Sequence, residues 1–147
     1  MTPPPMTPTH ADDVQAIIDL TIAYCWAIDS KDWEALRSIF VPEATALLGD
    51  ERDGIESIIT RISTALGHLD ASQHIISNHQ IVLDGDAATS RCYLQAQHVR
   101  RAAEGSPNYI VAGRYLDSVV RTPAGWRIVR RDLLVDWTDG NVRVVRP

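Results

Sequence analysis

The apolar positions change period once, near Ala71. Before it they recur at three and four; after it they alternate. Val14, Ile17, Ile18, Thr21, Ile22, Cys25 and Ile28 share one face of a 3.6-residue repeat, which predicts an amphipathic helix of about five turns. Thr9 stands where an N-cap belongs. Asp12 and Asp13 occupy the first turn, where the helix dipole favours anions. Ser30 reads as the cap of a second helix carrying Trp33, Leu36, Ile39 and Phe40, with Pro42 as its stop. Residues 44–48 read as a short strand before the polar turn GDERDG. Ile55, Ile58, Ile59, Ile62 and Leu66 predict a third helix, ended by Gly67.

Residues 72–83, 87–101, 109–120 and 126–137 read as four strands. DGD and TPAG supply turns, and AAEGSP a loop. Strands that follow one another through short turns make a mostly antiparallel sheet. Helices first and strands second is an α+β layout. Strands of this length twist and curl, so the helices close a concave side. The space between the first helix and the sheet is a place for a small apolar ligand. The reading is one domain over residues 9–147, behind a disordered proline-rich tail, residues 1–8.

Alternation also sorts side chains by face. On the first long strand it groups His74, Ile76, Asn78, Gln80 and Val82, opposite Gln73, Ile75, Ser77, His79, Ile81 and Leu83. On the second, Cys92, Leu94, Ala96 and His98 form an apolar face, which turns His98 inward. Asp29 follows Ile28 at the C-terminal end of the first helix, a poor place for an anion. Burial and the helix end both raise a carboxylate's pKa there. Two roles stay open for it: a surface cap, or the partner of an inward histidine. A carboxylate that accepts a ring N–H fixes the tautomer and leaves the other nitrogen as a base. The alternative for His74 and His98 is a satisfied core position.

Charge narrows the function classes. The chain of 147 residues has a formal net charge of -5 and a pI near 5.4. That excess argues against nucleic acid, despite the arginines at 100–101 and 127–131. No apolar run approaches the ~18 residues of a membrane span. Cys25 and Cys92 match neither a metal motif nor a disulfide framework, so they read as buried thiols in a reducing cytoplasm. MTPPPMTP lacks the apolar stretch of a signal peptide.

Three segments, AIDSKDWEALRSIFVPEA, SQHIISN and GRYLDSVVRTPAGWRIVRRDLLVDW, together resemble the SnoaL-like branch of the nuclear transport factor 2-like superfamily. The resemblance runs from about Ala11 to Trp137. It implies a cone-shaped α+β barrel, commonly a homodimer, with a deep apolar pocket for a small molecule. Within the family the likeness is to dehydratases of the scytalone dehydratase type and to dehydrochlorinases. It implies Asp29 and His74 as orienting carboxylate and general base, with His98 at the end of the next strand. Tyr24 stands where steroid dehydratases carry a tyrosine. Tyr115 and Arg131 fall at pocket-facing positions, Arg131 as an oxyanion holder or as the ion-pair partner of Asp117. The implied chemistry is a dehydration, isomerisation or cyclisation of a polycyclic or polyketide-like substrate, without cofactor or metal. A ligand-binding or docking module of the same fold is the alternative, as is an accessory oxygenase subunit.

Overall fold

The structure, a computed structural model, describes Thr2 and residues 9–146. The tail expected over residues 1–8 thus lies, Thr2 apart, outside the described residues. Helix α1 spans His10–Asp29. Thr9 caps it: its hydroxyl accepts from the Asp12 N–H, and the Asp12 carboxylate accepts in return from the Thr9 N–H. Of the predicted stripe Ile17, Thr21, Cys25 and Ile28 are buried, joined by Leu20 and Tyr24, while Ile22, expected on that face, is exposed.

The second helix is shorter than expected. It is a 3-10 turn, Trp33–Ser38, capped by Asp32 rather than Ser30. Ser30 instead donates its hydroxyl back to the Trp26 carbonyl and closes α1. Pro42 does not stop a helix either. It lies inside strand β1, Phe40–Leu47, in the stretch where pairing with β6 is irregular, so its missing N–H breaks no ladder. A short β2, Glu51–Asp53, pairs back on β1. Helix α2, Ile55–Leu66, buries Ile55, Ile58, Ile62 and Leu66.

Four long strands follow: β3 Ala71–Asp84, β4 Ala87–Val99, β5 Asn108–Thr122 and β6 Gly125–Gly140. The sheet order is β2-β1-β6-β5-β4-β3, antiparallel except for the β1–β6 pair. This is the expected α+β architecture: N-terminal helices on a curled, mostly antiparallel sheet. Register shifts in β3, β5 and β6 interrupt the ladders and help the sheet curl. The core between helices and sheet includes Ile17, Ile28, Leu36, Phe40, Ile58 and Ile128, each at most 1% exposed. Burying such a side chain stabilises the fold by roughly 1.5–3 kcal/mol. Among the described residues, no helix is long and apolar enough to cross a membrane.

Candidate active site

The end of α1 sets the position of Asp29. Asp32 N–H donates to the Ala27 carbonyl and Lys31 N–H to the Ile28 carbonyl. These two bonds form a Schellman motif, with Lys31 in the left-handed conformation that usually takes glycine (φ 58°). The Lys31 ammonium offsets the strain by donating to the Gly67 and Leu69 carbonyls at 2.9 and 2.7 Å. Asp29 is therefore the last helical residue, held rigidly against the start of β3.

There its carboxylate accepts three hydrogen bonds. His74 Nδ1 donates to Oδ1 at 2.6 Å, His74 N–H to Oδ2 at 2.8 Å, and the Ser72 hydroxyl to Oδ1 at 2.9 Å. Burial pushes the Asp29 pKa up, but these bonds outweigh it and hold the group below the usual carboxylate range. The rise expected from the helix end and burial is thus overturned by donors that helical pattern does not reveal. A carboxylate accepts only, so Nδ1 of His74 carries the proton. In the neutral ring Nε2 then holds the lone pair, and the ring lines the cavity.

His98 adopts the same tautomer for a different reason. Its Nδ1 donates to the Tyr109 carbonyl at 3.1 Å. Its ring stands edge-on to that of His74, 5.7 Å between centroids. Burial, with His74 nearby, pulls its pKa down to about 4. His98 is therefore neutral near pH 7 and presents Nε2 as an acceptor, not as an acid.

Strict alternation fails on β3 beyond Ser77. Asn78 has φ 58°, and the pairing with β4 skips between Ser77 and Gln80. This bulge reverses the faces. Asn78, Gln80 and Val82, expected inward with His74, turn outward, and Val82 is 67% exposed. His79, Ile81 and Leu83 turn inward instead. His79 Nε2 donates to the Thr21 hydroxyl at 2.9 Å, since that hydroxyl is itself committed to the Ile18 carbonyl.

Tyr24 and Tyr115 line the cavity, their rings edge-on at 5.7 Å. Burial raises both phenol pKa values, so each keeps its proton as a donor. Arg131, expected to face the ligand, does not line the cavity. Its guanidinium stacks on the Tyr24 and Tyr115 rings, 4.2 and 3.9 Å from their centroids. It also makes a bidentate pair with Asp117 at 2.8 Å, and both side chains are fully buried. Burial pulls the Arg131 pKa down, but Asp117 outweighs it and the net shift is upward. The ion pair, the other role open to Arg131, is the one the geometry shows.

The cavity has a volume of about 170 Å³ and is walled by apolar side chains of α1, α2, β4, β5 and β6. Among the lining residues, Arg61 and Ala65 of α2, Val111 of β5, Leu133 of β6 and Val145 of the C-terminal segment escaped sequence reading. Ser72 escaped too, although its two-residue offset from His74 places both on one face of β3. Cys25 and Cys92 are buried free thiols, pushed by burial to about 12 and about 11. Among the described residues, no group of three His, Cys, Asp or Glu side chains is placed to hold a metal ion.

Relatives carry the same architecture. An uncharacterized protein of Mycobacterium tuberculosis is 33% identical over 119 residues, 78% of this chain and 80% of that one. The Kfla4162 protein of Kribbella flavida superposes with a TM-score of 0.88 at 23% identity, over 95% of this chain and 100% of the other. A Novosphingobium aromaticivorans protein, provisionally named scytalone dehydratase, superposes at 0.82 with 25% identity, over 97% of each chain. The model of the SnoaL-like domain matches residues 9–132. The chain belongs to the SnoaL-like domain family.

Proposed function

We propose that the chain is a cofactor-independent lyase or isomerase in which His74 is the general base. One observation carries the reading: Nδ1 of His74 is committed to Asp29, which leaves the Nε2 lone pair for a cavity that is otherwise mostly apolar. Nε2 takes the proton from a carbon beside a carbonyl. The electron pair of that C–H bond becomes the new C=C bond. In a dehydration the adjacent C–O bond breaks, and the hydroxide leaves as water after accepting a proton. Tyr24 is the donor assigned to the developing oxyanion or leaving hydroxyl, because its phenol stays protonated. His98, an acceptor, orients a substrate hydroxyl. Isomerisation and cyclisation begin from the same carbanion. A cavity of about 170 Å³ is close to the ~150 Å³ that accommodates a benzene ring. The buried part of the substrate is therefore about one ring in size, smaller than the polycyclic skeleton the family resemblance implies.

The test uses cyclic β-hydroxy ketones, whose dehydration to a conjugated enone is followed by ultraviolet absorbance. Wild-type protein speeds the elimination. His74→Ala slows it by about 10²-fold or more while the ketone still binds. An unchanged rate in His74→Ala rules out the base, and leaves a binding module as the reading.

A further inference from the structure

Arg61 is the one charged side chain lining the cavity among the described residues, since His74, His98, Tyr24 and Tyr115 are its other polar members. It projects from α2, and its side chain is 34% exposed, which places it at the mouth. Its Nε donates to the Leu48 carbonyl at 2.7 Å and lies 3.3 Å from Asp50 Oδ1. The guanidinium rests on Gly49: a Cβ there would stand 2.9 Å from Nη2. Nη1 and Nη2 make no hydrogen bond among the described residues.

Asp50 neutralises it only in part. Both oxygens of that carboxylate are taken by Arg52, Nε to Oδ1 at 3.1 Å and Nη2 to Oδ2 at 2.7 Å. Two guanidiniums share one carboxylate, so Arg61 keeps part of its charge at this edge of the mouth. Of the other two acids of β2, Glu51 is committed to Arg130 at 2.7 Å, and Asp53 pairs in the ladder opposite Thr45 of β1. An anchored cation with free fork donors, beside an apolar cavity, has the geometry that recognises a carboxylate.

We infer that Arg61 selects the substrate: a ring-sized apolar body carrying a carboxylate at the end away from the reacting carbon. The inference rests on the cavity being the substrate site, as proposed above, but not on His74 acting as a base. Hydrogen bonding to the free Nη atoms adds affinity for an acid over its neutral amide. At a partly exposed mouth the gain is about tenfold.

Calorimetric titration with trans-cinnamate and cinnamamide at about pH 8, where histidine is neutral, tests it. Wild-type protein binds cinnamate about tenfold more tightly than the amide. Arg61→Gln removes that preference and leaves amide affinity unchanged. Asp50→Asn strengthens cinnamate binding, because Arg61 loses its competing anion. His74→Ala keeps the preference, so a failed base and a failed carboxylate site give different results. Equal affinities in the wild type, or a preference that survives Arg61→Gln, overturn the inference. So does failure of the wild type to bind either probe at millimolar concentration. If Arg61→Gln loses the amide as well, salt decides. Added salt weakens cinnamate binding and spares the amide if Arg61 acts as inferred; salt-insensitive binding of both overturns it.

Discussion

Asp29→Asn is the most informative single change, because the amide has the shape of the carboxylate but half its acceptors. Asp29 presents Oδ1 to His74 Nδ1 and Ser72, and Oδ2 to the His74 N–H. Asparagine must choose. With its oxygen toward Nδ1, the NH2 group meets the His74 backbone N–H, donor against donor. With its oxygen toward the backbone, the NH2 group meets Nδ1, and the ring must move its proton to Nε2. The first arrangement strands a half-buried backbone donor, at about 1–3 kcal/mol of stability. The second abolishes the lone pair on the cavity side. Either way His74 loses the carboxylate that would balance charge on its ring. General base catalysis accounts for typically 10²–10⁴-fold of rate, so elimination falls by about that factor while ring-sized ligands still bind.

Two measurements check this. Urea unfolding gives the stability change. Nitrogen NMR of the His74 ring gives the tautomer and so separates the two arrangements: Nδ1–H in the first, as in the wild type, and Nε2–H in the second. The pH dependence has a definite sign. Hydrogen bonds hold the Asp29 pKa below the usual carboxylate range, so its contribution is present above the unfolded value of about 3.9. It is lost as pH falls below that value, and Asp29→Asn removes this part of the acid sensitivity. A variant with wild-type rate and an Nδ1–H ring would refute the reasoning, because the carboxylate would then be dispensable to both orientation and basicity.

Two further outcomes follow from buried groups. Arg131→Met leaves Asp117 as an unpaired buried charge and costs about 3–5 kcal/mol in urea unfolding, while Arg131→Met with Asp117→Leu recovers most of it. His98 has a folded pKa of about 4, below the ordinary 6.5, so its share of stability is present above about pH 6.5 and is lost as pH falls toward 4. His98→Gln flattens the urea midpoint over that window, by an amount on the order of 3 kcal/mol.

Periodicity in the sequence carried the fold because each element buries one face. The alternation on β4 needed no tertiary knowledge and placed its inward residues as observed, whereas the stripe of α1 was right for Ile17, Thr21, Cys25 and Ile28 but included the exposed Ile22 and left out the buried Leu20 and Tyr24. What failed did so where a local event resets the count. The left-handed Asn78 inserts one residue into β3, and every side chain after it changes face. Asparagine tolerates that conformation better than most residues, yet nothing in SQHIISNHQ distinguishes it from an ordinary strand residue. His74 was placed correctly because it precedes the bulge, and His79 incorrectly because it follows it. Asp29 shows a second limit. Its helical position argues for a raised pKa, but Ser72 and the His74 backbone reach it from β3, and donors so far along the chain leave no trace in a helix pattern.

Arg131 and Arg61 show the third limit, and bear on where the site's charge lies. The family resemblance places Arg131 at a pocket-facing position, and it is fully buried, but buried is not the same as facing ligand. Asp117 and two tyrosine rings take up its guanidinium before it reaches the cavity. Its cost of burial is met inside the protein, which leaves Tyr24 and Tyr115 to present neutral O–H donors in its place. Arg61 is the opposite case, an arginine on an amphipathic helix that reads as surface. It reaches the cavity because Gly49 leaves room for it, and it keeps free donors because Arg52 occupies its nearest acid. The charge inside the site is thus that of Asp29, and the partly compensated positive charge of Arg61 stands at the rim. An anionic substrate group belongs at that rim, since beside Asp29 it would meet a like charge and oppose the step that His74 performs.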